Sequence, residues 1–112
     1  MSGAGELYEK VAFDRLEAID DGYGGTVDQW TEQFTRRAGY TRLRGTEPVM
    51  AARLEGKQPT VIRVRVDSET RQITTDWRAR DARSGEAFNI RSIARTNDRR
   101  WFDILAESGV AV

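Results

Sequence analysis

Eighteen carboxylates, sixteen arginines and two lysines are the chemical equipment of this 112-residue chain, which has no histidine and no cysteine. Those two absences remove zinc sites, thiol nucleophiles, Ser-His-Asp triads and disulfide frameworks together. A metal would have to be held by carboxylates and carbonyls, the ligand set of calcium, magnesium or manganese. The segment closest to such a loop is DDGYGG, Asp20 to Gly25. Started at Asp20 or Asp21, it places no carboxylate at the third or fifth position, as an EF-hand requires. A phosphate loop would need a Lys-Ser/Thr pair after the glycines and a helix opening there; neither follows. The segment reads as a tight turn. No spacing among the other acids singles out a pair for acid/base work, so the chain reads as a non-enzyme without cofactors.

The bases are more suggestive. Arg36, Arg37, Arg42 and Arg44 cluster around Tyr40; Arg78, Arg80 and Arg83 follow one another along a strand; Arg91, Arg95, Arg99 and Arg100 surround a polar loop. Arginine's planar fork suits both phosphates and interface carboxylates. Basic strands with interleaved aromatics are how small barrels bind single-stranded nucleic acid, but no recognition helix or RNP-type aromatic signature is present. Loose phosphate contact and pairing between subunits both stay open. The formal net charge is zero, yet it is segregated. Residues 6–35 hold eight acids and two bases, residues 36–100 sixteen bases and eight acids, and residues 101–112 two further acids. Such asymmetry suits a face for nucleic acid or complementary patches that meet between copies.

These side chains need a scaffold, and the length allows one modest core. A mean hydropathy of −0.65 means either a well-solvated surface or polar surface buried against other subunits. Residues 1–6 read as a flexible tip. Residues 7–19 fit a helix or a strand: Leu7, Val11 and Ala18 share a helical face, whereas Val11 and Phe13 alternate. After the glycine turn, TVDQWTEQF (26–34) favours strand. The basic stretch from Arg36 leads to Thr46, Glu47 and Pro48, a helix start, and the short helix should stop near Gly56. The clearest signal is TVIRVRVD (60–67), a half-buried strand. A hairpin over 76–93 turning at Ser84-Gly85, and a last strand WFDILAE (101–107), complete the pattern. The expectation is mainly β: a small antiparallel barrel or sandwich of five to six strands, with one short helix in a long loop. Residues 7–112 form the single domain, with a loop-helix insertion at 36–58. The candidate core is Trp30, Ile62, Val64, Val66, Trp77, Phe88, Ile90 and Ile104. No segment suits a membrane span or a signal peptide, which predicts synthesis in the cytoplasm.

Taken in order, DGYGG followed by TVDQW (21–30), RGTEPVMAAR (44–53), TVIRVRV (60–66), ITTDWR (73–78), GEAFNIRSI (85–93), TNDRR and WFDILAE resemble the phage head-tail joining family, also known as head closure or stopper proteins. The resemblance spans residues 7–108. It implies a β-barrel or sandwich that forms a ring, expected to be a hexamer, below the portal and adaptor of a tailed phage, prophage or gene transfer agent. There it would retain packaged DNA, touch that double-stranded DNA non-specifically, and present a docking surface to the tail terminator or tail tube. On this reading Arg36, Arg37, Arg42, Arg44 and Arg53 line the DNA channel or meet a neighbour. Asp20, Asp21, Asp28, Arg63, Arg65, Arg78 and Arg80 are the expected ring-interface charges. A free-standing nucleic-acid-binding barrel and a neighbouring connector ring such as the tail terminator are the alternatives.

Overall fold

The computed structural model describes residues 7–43 and 47–108; the expected tip at 1–6 and Arg44 lie outside the described residues. Six strands are connected in the order β1 (Glu9–Asp20), β2 (Thr26–Arg42), α1 (Glu47–Leu54), β3 (Gln58–Arg65), a one-turn 3-10 helix (Thr70–Gln72), β4 (Arg78–Asp81), β5 (Ala87–Arg95) and β6 (Trp101–Ser108). They close an antiparallel barrel in the spatial order β1-β2-β3-β6-β5-β4. The ambiguous segment 7–19 becomes strand because Val11 and Phe13 point together into the barrel, where both are fully buried.

The interior is one cluster. Val11 and Phe13 meet Phe34 and Ala38 of β2, Ile62 and Val64 of β3, Ala79, Phe88 and Ile90 of β4 and β5, and Ile104 and Ala106 of β6, with Ile73 and Trp77 closing one side. Two residues expected there are elsewhere. Val66 lies past the end of β3 and is partly buried, its N–H given to the Arg100 carbonyl at 2.8 Å. Trp30 is displaced by a bulge: Phe13 pairs with Phe34, but Asp14 pairs with Glu32, so Gln33 is an extra residue. One extra residue reverses the alternation. Phe34 therefore faces in, while Glu32 and Trp30 face out.

The insertion is shorter than expected. Residues 36–42 are strand, the last part of β2, and only the connection between Arg42 and Gln58 carries the helix. The strand pattern continues through the arginines because Ala38 and Tyr40 keep facing the core. β2 is paired to β3 only from Gly39 to Arg42. Beyond that ladder the two strands part, and the 66–77 connection fills the opening. Arg36 reaches across to Asp67 at 2.9 Å and to Glu69, and the Phe34 and Trp77 rings lie 5.9 Å apart.

Strand direction then sorts the loops into two poles. At one, the β1–β2 turn, the 66–77 connection and the β5–β6 turn lie together. At the other are the α1 connection, the β4–β5 turn, Leu7 and Ser108. The long axis measures 50 Å.

Candidate assembly surfaces

The first surface is an arm. β1 pairs with β4 only over Val11–Asp14, yet it pairs with β2 all the way to Asp20 and Thr26. Residues 15–20 and 26–31 therefore form a two-stranded ribbon that runs on past the barrel for about 20 Å. Its turn is held by its own aspartates. Asp20 Oδ1 accepts from the Gly22 N–H at 2.9 Å, and Asp21 Oδ1 accepts from Tyr23 and Gly25 at 2.7 and 3.1 Å. Gly22 and Gly24 take the positive φ angles, +82° and +87°, that side chains resist. Apolar residues ride exposed on this ribbon: Leu16, Ile19, Val27 and, at the tip, Tyr23, which is 95% exposed. A lone two-stranded ribbon is marginal in water, so its root must be held.

The root is held by charge. Asp14, 1% exposed, accepts from Arg78 Nε at 2.7 Å and from Arg80 Nε and Nη2 at 3.1 and 3.2 Å. Arg80 also donates to Glu32 at 2.8 Å, and the Arg78 guanidinium lies 4.9 Å from the Trp30 ring centre. Burial pushes the Asp14 carboxyl up, but hydrogen bonds and charge from Arg80 and Arg78 outweigh that and hold it below the usual carboxylate range. Arg80 is shifted upward by its bonds to Asp14 and Glu32.

The second surface lies on the same outer wall, toward the other pole. Lys10 and Arg37 face each other directly across the β1–β2 ladder, both exposed. Neither is ion-paired among the described residues. They border a groove of about 560 Å³ lined also by Leu7, Tyr8, Glu9, Thr35, Arg36 and Arg83. Tyr8 is 71% exposed. Arg83 is tied only loosely, to Glu9 at 3.7 Å. The third surface is α1, which packs on β3 and leaves Met50 and Leu54 open to solvent; Pro48 and Val49 of the helix line a cleft with Leu43, Pro59, Leu105, Arg91 and Glu107.

The sequence-chosen residues divide accordingly. Asp20 and Asp21 cap the arm's turn, and Asp28 is exposed on its stem. Arg63 is fixed to Asp103 in the same subunit by two bonds of 2.7 and 2.8 Å. Arg78 and Arg80 are likewise spent on Asp14, so these three do not stand free for a neighbour. Arg65 is exposed, stacked 4.9 Å from the Trp101 ring centre. Arg36 belongs to the barrel closure, whereas Arg37, Arg42 and Arg53 are exposed, on the wall, at the end of β2 and on α1. Those that the structure brings together are Arg36 and Arg37 at the groove, with Arg65 beside them across a neighbouring cleft, and Arg78 and Arg80 at the arm's root.

Sequence reasoning missed Asp14, whose partners lie 64 and 66 residues away. It also missed a pair at the α1 pole, where partly buried Tyr40 donates to buried Asp81 Oδ2 at 2.8 Å. Burial and that bond push the Tyr40 hydroxyl far above its ordinary pKa. The Lys10–Arg37 opposition was visible only as composition, because register was unknown.

Among the described residues no group of three or more carboxylates is placed to hold a metal ion, and no helix is long and apolar enough to cross a membrane. The fold is shared with a chain of the native gene transfer agent virion, at 22% identity over 94% of this chain and 97% of that one, with a TM-score of 0.64. It is shared also with protein SF1141 from Shigella flexneri 2a, known from a solution structure, at 18% identity over 99% and 100% of the two chains, with a TM-score of 0.69. No curated protein matches in sequence. The profile of the phage head completion proteins matches residues 3–109, nearly the whole chain. Barrel, arm and helix are thus parts of a structural component of the head-tail connection rather than of an enzyme, and the chain belongs to the phage head completion protein family.

Proposed function

We propose that the protein assembles into a closed ring, a hexamer, beneath the portal and adaptor, where it retains packaged DNA and offers the tail terminator or tail tube its docking surface. Synthesis in the cytoplasm would precede its incorporation at the head-tail junction of a phage, prophage or gene transfer agent particle. The observation that carries this reading is polarity. The arm projects at one pole of the barrel and α1, with exposed Met50 and Leu54, stands at the other. A ring of such subunits has two chemically different faces, as a part seated between two unlike neighbours requires. Rotational rings repeat one heterologous contact until it closes, and the segregated charge of the chain supplies unlike flanks. Exposed Arg42, Arg53, Arg99 and Arg100 would give the central passage loose, salt-sensitive phosphate contact.

Electron microscopy of particles from cells lacking the gene tests this. Full heads that leak DNA and carry no tails are the expected result; normal tailed particles would refute it. A neighbouring connector ring would instead leave heads sealed and tails malformed. A free nucleic-acid-binding barrel would shift DNA in solution on its own, with affinity falling steeply as salt rises.

A further inference from the structure

The arm and the groove are each incomplete in a way the other corrects. Two cations directly opposite on one face of an antiparallel ladder repel each other, and Lys10 and Arg37 sit so, with no carboxylate paired to either among the described residues. The arm, residues 15–31, carries Glu17, Asp20, Asp21 and Asp28 against Arg15 alone. Asp28 has no ion-pair partner among the described residues. Apolar surface matches as well: Ile19, Val27 and Tyr23 on the arm are 37%, 50% and 95% exposed, and Tyr8 stands open at the groove. The arm cannot satisfy its own subunit's groove, because it projects from the opposite pole.

We propose that the arm of one copy seats in the Lys10–Arg37 groove of the copy beside it, so that the ring closes through one arm-in-groove contact repeated around its axis. This rests on the ring reading above and specifies its interface. Strands in small barrels run about 40° off the barrel axis, so the arm leaves the wall obliquely and sweeps over a laterally placed neighbour. The alternative for the arms, edge to edge with one another, sets one acidic ribbon, with Glu17, Asp20, Asp21 and Asp28 against Arg15 alone, beside another and is opposed by like charge.

The absence of cysteine makes the test clean. Val27→Cys and Tyr8→Cys, both at exposed positions, are introduced singly and together, and purified particles are treated with a short bis-maleimide. The double variant is expected to give a covalent ladder ending at the ring number, and each single variant a monomer. A monomer from the double variant in particles that contain the protein overturns the proposal. So does cross-linking of Val27→Cys alone, which would mean that arm meets arm. If the protein is missing from particles, the ring reading fails separately. The same reaction on the concentrated purified chain then decides the contact: a ladder upholds it and a monomer rejects it. Arg37→Glu should abolish the ladder, and Asp28→Lys added to it should restore it.

Discussion

Two stretches of one wall, a few residues apart, treat charge in opposite ways. At the arm's root, Asp14 and Glu32 answer Arg78 and Arg80, and every member has a partner within its own subunit. Farther along the same strands, Lys10 opposes Arg37, and neither has an ion-pair partner among the described residues. The first stretch is architecture: it fastens a ribbon that would not stand alone. The second leaves two like charges opposed in the isolated subunit, and it is the stretch on which the proposed contact between copies rests. Number of charges does not separate the two. Register does.

Removing Asp14 should break the first stretch most severely. Asp14→Ala leaves two guanidinium groups facing a buried gap, and because both are partly solvated the loss should be about 2–3 kcal/mol, read as a lowered urea midpoint. Acid should reproduce part of it. The carboxyls of Asp14, Asp67 and Asp81 are held below their ordinary range, each against an upward push from burial, by arginine, backbone or tyrosine donors. A depressed carboxylate contributes stability that is fully present above its unfolded pKa and lost as pH falls through the folded one. Urea midpoints should therefore hold from neutrality to about pH 4 and drop below it, with a shallower drop in Asp14→Asn.

A smaller effect belongs to Tyr40→Phe, which deletes the hydroxyl that meets Asp81 while leaving the backbone donors of Arg83 and Ser84 in place. It should cost about 1 kcal/mol. In the parent, burial and the Asp81 bond raise the Tyr40 hydroxyl. Its contribution is thus complete below about pH 10 and lost only as pH rises toward the folded value. The variant should lack that alkaline loss in a pH series of melting curves.

The second stretch should answer in the opposite sense. Lys10→Glu replaces repulsion with attraction to Arg37 and should stabilise the free subunit by about 0.5 kcal/mol, while reducing the yield of tailed particles. Loss of stability together with normal particles would erase the contrast. Smallest of all, Leu54→Ser on α1 touches a side chain 87% exposed and should leave the unfolding free energy from urea titration unchanged within about 0.5 kcal/mol, so any loss of particles there reads out docking alone.

Local pattern made much of this fold legible. TVIRVR, the bulk of TVIRVRVD, lies in strand β3, DDGYGG is the arm's turn, and Glu47-Pro48 opens α1 with Gly56 just beyond it at a φ of +84°. What escaped was everything set by long-range pairing. The arginines at 36 and 37 looked like loop because charge usually marks solvent. Yet Arg36 stacks on Phe34 and is neutralised by residues more than thirty positions away. The bulge at Gln33 turned Trp30 outward and cannot be seen without its partner strand. Arg63, Arg78 and Arg80 look in sequence like any exposed charge, because the acids they bond, Asp103 and Asp14, are brought to them only by the topology. The residues left over after such internal pairing, Lys10 and Arg37 above all, are the ones that composition could count but not locate.

β2 also has a mechanical meaning. Its seventeen residues, Thr26 to Arg42, run without a break from the arm to the start of the α1 connection, a contour of about 55 Å in a molecule 50 Å long. A pull on the arm is carried along covalent backbone to the opposite pole. The turn hands the same pull to β1, so the load passes into the barrel through the short ladders that tie β1 to β4 and β2 to β3. The compliant point is Gln33, where the ladder skips a residue. Arm and α1 connection are thus joined by one unbroken strand, and β2 is as much a tendon as a strand.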